Sequence, residues 1–93
     1  MTSKTWTVQL TLDEEDDDTR ADAALSLDTP MDTATQLRGH GVSRRNPRDE
    51  SEPRIGDELA AARALADLAH QLLAAAANDI EAKTHVPARS LQL

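Results

Sequence analysis

The side chains able to do chemistry in this 93-residue chain are few and widely spaced. His40, His70 and His85 carry the only imidazoles, and no two stand four apart, the helical spacing that presents a pair of imidazoles to one metal. Asp13 to Asp18 is an unbroken run of six acids. It lacks the glycine and the closing glutamate of a calcium-binding EF-hand loop, so diffuse ion condensation is the expected outcome. No serine lies in a Gly-x-Ser-x-Gly elbow, and nothing supplies an activating base. Gly39-His40-Gly41 opens like a phosphate-cradling loop, but Arg44 stands where the third glycine of G-x-G-x-x-G belongs, which favours a structural glycine at a bulge. These residues predict no enzyme, no metal and no cofactor.

What remains is charge. Arg38, His40, Arg44, Arg45, Arg48 and Arg54 form the one basic concentration, interrupted by Asp49, Glu50 and Glu52. Arginine's planar fork suits phosphates and carboxylates, so Arg38, His40, Arg44, Arg45 and Arg48 are the candidate surface for RNA or an acidic protein. The competing expectation is that they pair within the chain, with Asp22, Asp28 or the acidic run. A net charge of -7 and a pI near 4.7 weigh against sequence-independent nucleic-acid binding, whose affinity comes mainly from neutralised phosphates. A threonine-rich sheet face without stacking aromatics also excludes the mode of an RNA-recognition motif.

The elements that must position these groups follow from periodicity. Strict alternation from Thr5 to Leu12, with Trp6, Val8, Leu10 and Leu12 on one face, predicts a half-buried strand. The acidic run then reads as a solvated hairpin loop. Ala21, Ala23, Leu25 and Leu27 resume the alternation in a second strand over about 19–28, with Pro30 turning the chain. A third strand, about 35–45, slips once near Gly39 and Gly41, which predicts a bulge. Residues 46–54 read as an irregular connection. A helix is expected over about 56–83, with Asp57 and Glu58 in its first turn. Leu59, Ala62, Ala66, Ala69, Leu73, Ala76 and Ile80 follow 3-4 spacing as the main apolar stripe, with Leu65, Leu68 and Leu72 beside it. Arg63, Asp67, His70 and Gln71 are placed on the opposite face.

The expected fold is therefore α+β: a three-stranded antiparallel meander followed by one long helix, in a single domain, with a C-terminal tail over 84–93. Large aliphatic residues are scarce, alanines number sixteen, and Trp6 is the only aromatic, so the core must be thin. A helix of some 28 residues reaches about 42 Å, longer than an eight-residue strand at roughly 27 Å. Overhang and stripe width together predict a homodimer whose interface includes Leu65, Leu68, Leu72, Ala76 and Ile80. Val86, Leu91 and Leu93 give the tail enough apolar character to dock in cis or in trans. No cysteine, no apolar run long enough to span a membrane and no signal-like start make the cytoplasm the expected address.

Gly39-His-Gly-Val-Ser-Arg-Arg-Asn-Pro47, the run from Ile55 to His70, and Asp79-Ile-Glu81 together resemble an actinobacterial family, the domain-of-unknown-function family numbered 1876. The resemblance extends from the Trp6-Thr-Val strand to Pro87. It implies a dsRBD-like β-β-β-α subunit in an intimate or element-swapped dimer, similar in outline to ribosome hibernation factors, with some relatives linked to dormancy or hypoxic stress. It carries no catalytic or cofactor residue; only Arg44, Arg45, Asn46 and Pro47 match a characteristic polar segment. The six-acid run and the Asp28 to Thr35 connection depart from the pattern, and the added negative charge weakens the ribosomal extension. Two functions follow as expectations: a stress-linked regulator bound to the ribosome or RNA, or a protein-protein adaptor or structural dimer.

Overall fold

The computed structural model describes residues 2–29, 32–46, 48 and 52–85, with side chains at all of these except 27–29 and 32–35. The alternating segments form β1 (Val8–Glu15), β2 (Asp18–Thr29) and β3 (Asp32–Arg44), an antiparallel meander in the order β1-β2-β3, followed by α1 (Pro53–Thr84). The expected α+β architecture is the one observed.

Several boundaries differ for local reasons. Asp13, Glu14 and Glu15 belong to β1, where they pair with Arg20, Thr19 and Asp18, so the acidic loop shrinks to a turn at Asp16 and Asp17. Asp16 takes a left-handed φ of 54°, a conformation aspartate tolerates better than most residues. The helix begins three residues earlier than expected because Pro53 suits a first helical position, where its missing N–H costs nothing. Asp57 and Glu58 consequently lie beyond the first turn, which holds no acid. At the other end His85 caps the helix in the left-handed region, its amide donating to the Glu81 carbonyl at 2.8 Å. The tail positions Val86, Leu91 and Leu93, and the Pro30 turn, lie outside the described residues.

The helix rests on the sheet through its smallest residues. Ala60, Ala64 and Leu68, spaced four apart, are buried against Ala21, Ala23 and Leu25 of β2. On β3 the residues beneath them are Gly39 and Gly41. A Cβ on Gly39 would reach 2.9 Å from the Leu68 Cα, and one on Gly41 would reach 2.8 Å from the Arg63 Cβ, with helix backbone atoms nearer still. The glycines mark a backbone-to-backbone approach, not the expected bulge: pairing of β2 with β3 runs without interruption through this stretch, and the register shift lies between Leu27 and Thr29. At the helix start, the buried Ser43 hydroxyl donates to the Gly56 carbonyl at 2.7 Å, with Thr19 packed beside it.

This contact reverses the expected orientation of the helix. Leu59, Ala62, Ala66, Ala76 and Ile80 face solvent, with Ala69 and Leu73 half-buried, while Ala60, Ala64 and Leu68 face the sheet. Both rows are apolar, so periodicity alone could not choose between them. The overhang is smaller than expected: the 32-residue helix reaches about 48 Å, only slightly beyond the roughly 40 and 43 Å of the 12-residue β2 and 13-residue β3, and well beyond the 8-residue β1.

Gly41→Ala is expected to lower unfolding stability by about 1–3 kcal/mol, because the added methyl has no room beneath the helix backbone. Urea titration measures it; a change below about 0.5 kcal/mol, the size of an ordinary surface substitution, would mean the helix does not sit there.

Candidate interaction surface

Of the expected basic cluster, most members are already engaged. His40 Nδ1 meets the Asp22 carboxylate directly across the sheet, Arg44 Nε lies 3.8 Å from Asp18, and Arg45 reaches Asp17 at the hairpin turn. Cross-strand register explains this: Asp18 pairs with Arg44, setting opposite charges face to face, and Asp22 with His40, setting a carboxylate against an imidazole nitrogen. Intramolecular pairing, the competing expectation, accounts for these three residues. Arg38 differs. Among the described residues its guanidinium hydrogen-bonds Gln36 Oε1, at 2.8 and 3.1 Å, on the exposed outer face of the sheet. Arg48 donates its backbone amide to Asn46 Oδ1 at 3.0 Å.

The expected dimer positions also divide. Leu68 is 3% exposed and belongs to the core of the single chain, and Leu72 is half-buried against that core. Leu65 and Ile80 remain 44% and 45% exposed, and Ala76 is open. The largest departure is on β1. Val8, Leu10 and Leu12 lie opposite Leu25, Ala23 and Ala21, hence on the helix side of the sheet. They were expected to be half-buried, yet with Trp6 they are 37–59% exposed. The helix lies over β2 and β3 and scarcely covers β1. The cause is the glycine contact, which draws the helix toward β3.

Near the hairpin turn a cleft of about 280 Å³ opens between Asp17, Arg45, Ile55 and Leu59. Two buried hydroxyls, Thr19 and Ser43, line it, of which Ser43 donates to the Gly56 carbonyl, while its half-buried Arg45 pairs with Asp17. His70 Nδ1 lies 2.8 Å from the Ala66 carbonyl, far along the helix from His40. Among the described residues no three His, Asp or Glu side chains gather as a metal site requires, and no helix is long and apolar enough to cross a membrane.

A family model described as Rv2632c-like matches residues 4–89, nearly the whole chain. The chain belongs to the Rv2632c-like family. Rv2632c of Mycobacterium tuberculosis (strain H37Rv) is 47% identical over 88 residues, covering 95% of this chain and 89% of its own length. Mb1767 of Mycobacterium bovis is 46% identical over 86 residues, covering 92% and 86%. The crystal structure of Rv2632c superposes with a TM-score of 0.79 at 45% identity, covering 94% of this chain and 98% of that one. None of these names states an activity. The Rv2632c-like chain thus shares its strands and helix with mycobacterial relatives, in line with the actinobacterial resemblance of its motifs.

One electrostatic feature adjoins the open strand. The Glu14 carboxyl is raised above the usual glutamate value of 4.5, first by its hydrogen bond to the Asp57 carboxyl, then by that group's charge and by slight desolvation. Asp57 Oδ1 is itself buried and accepts no hydrogen bond among the described residues. A proton on Glu14 favours the folded pair, so this contribution is complete below pH 4.5 and is lost as pH rises through the raised value. Glu14→Gln, which donates to Asp57 without needing a proton, is expected to gain stability over the native chain only on the alkaline side. Urea titrations across that range decide it, and a difference independent of pH would refute the pairing.

Proposed function

We propose that this chain is a non-catalytic interaction module that works by self-association and protein binding, through apolar surface that one subunit leaves open. The observation that carries this reading is the β1 face: Val8, Leu10 and Leu12 lie in one row on the core side of the sheet, with Trp6 exposed at the approach to that strand, and among the described residues no element covers the row. A contiguous apolar row of this kind marks an interaction site more often than an idle surface. The solvent-facing row of the helix, Leu59, Ala62, Ala66, Ala76 and Ile80, adds a second strip left exposed among the described residues. The dsRBD-like, intimately paired subunit implied by the resemblance to family 1876 is compatible with both, as is an address in the cytoplasm.

The alternative is a stress-linked regulator that associates with the ribosome or RNA. What supports it is Arg38, exposed with a neutral neighbour, on the same outer face as the exposed Arg20. What weakens it is the internal pairing of His40, Arg44 and Arg45, together with the net charge of -7. Protein binding is therefore the stronger reading.

Sedimentation equilibrium at micromolar concentration is expected to give twice the 10.1 kDa of the chain; a single-chain mass throughout would overturn self-association. Ribosome cosedimentation is expected to fail at both low and high salt. Salt-sensitive association that Arg38→Glu abolishes would instead favour the regulator.

A further inference from the structure

The two edges of the sheet are treated differently. Along the outer edge of β3, the His40 amide donates to Asp67 at 2.8 Å and Arg63 donates to the Val42 carbonyl at 2.7 Å. Helix side chains thus occupy the positions an added strand would use, a common defence of an exposed edge. β1 has no such guard among the described residues. Since the backbone groups of His40 and Val42 point away from β2, those of Gly39, Gly41 and Ser43 point toward it. Carried across the uninterrupted register, this alternation turns the amides and carbonyls of Val8, Leu10, Leu12 and Glu14 to the open side of β1.

We propose that this open edge receives β1 of a second copy, antiparallel, with the two-fold axis at Gln9. The proposal rests on the self-association reading and names its surface. An antiparallel partner must set outward-pointing groups against outward-pointing groups, which limits the registers to steps of one residue in the position of the axis. With Gln9 opposite Gln9, Val8 meets Leu10 and, with residues 4–7 drawn into the strand by the pairing, Trp6 meets Leu12 and Lys4 meets Glu14 of the second copy. On the outer face Thr7 meets Thr11. Moving the axis to Leu10 would set Trp6 against Glu14, and moving it to Val8 would set Lys4 against Leu12. One register alone matches apolar with apolar and cation with anion.

That register also answers the carboxyl pair. The Lys4 ammonium of the second copy would bring a further positive charge to Glu14, beside Asp57. The product is a six-stranded sheet with both helices on one side. Each helix lies over β2 and β3, so strand spacing puts the two axes roughly 19 Å apart, about twice the distance of packed helices. Trp6 and Leu65 of both copies line the space between, Leu65 being on the helix flank opposite Arg63.

The chain has no cysteine, so single-cysteine variants report the contact directly. A Gln9 pair in this register is of the non-hydrogen-bonded type, with Cα atoms about 4.5 Å apart, inside the span a disulfide accepts. Mild oxidation of Gln9→Cys is expected to shift the chain from 10.1 kDa to twice that mass, whereas Leu73→Cys, on the outer helix row, stays single. Lys4→Glu is expected to dissociate the pair, and Lys4→Glu with Glu14→Lys to restore it. Linking of Leu73→Cys without Gln9→Cys, or of neither in a chain of double mass, would overturn the edge assignment while leaving self-association intact. A native mass of 10.1 kDa at every concentration would overturn both.

Discussion

The architecture depends on one contact, the seating of the Ala60 and Ala64 turns on Gly39 and Gly41. Here backbone meets backbone, without the layer of large side chains that usually separates a helix from a sheet. Such an approach tolerates no additional atom on the strand and few on the helix. It gains close dispersion contact but buries little apolar area for each residue involved. Among the described residues the core cluster accordingly consists of Ala21, Ala23, Leu25, Ala60, Ala64 and Leu68.

Where the helix sits settles what the rest of the sheet can do. Over β3, Arg63 and Asp67 reach past the strand and occupy its outer edge. The helix touches β1 only marginally, so Val8, Leu10 and Leu12 face outward from what would otherwise be the inner layer, with Trp6 exposed beside them. Closing one side and opening the other are a single geometric event. The asymmetry follows from glycines at two positions of β3, and not from any feature of β1 itself.

Much of the fold was legible from alternation and helical spacing, because these report local geometry. Strand order, the antiparallel meander and the long helix all follow from them. The face of the helix was not legible, since Leu59 to Ile80 and Ala60 to Leu68 are both apolar rows and the larger one is the more conspicuous. Reading Gly39 and Gly41 as room for a helix, and not as a bulge, would have resolved the choice. The acidic run misled for a related reason: β pairing with Arg20 and Thr19 holds Asp13 and Glu14 extended despite their mutual repulsion. The basic stretch was located correctly, but its partners became visible only when register brought Asp18 opposite Arg44 and Asp22 opposite His40.

Trp6 is the chain's sole aromatic residue, and it lies well exposed at the approach to β1. Near-ultraviolet absorption and emission therefore come from one indole with no competing fluorophore. The molecule carries a built-in optical reporter at its most open edge, so quenching, spectral shift or anisotropy would register an arrival there without any attached dye.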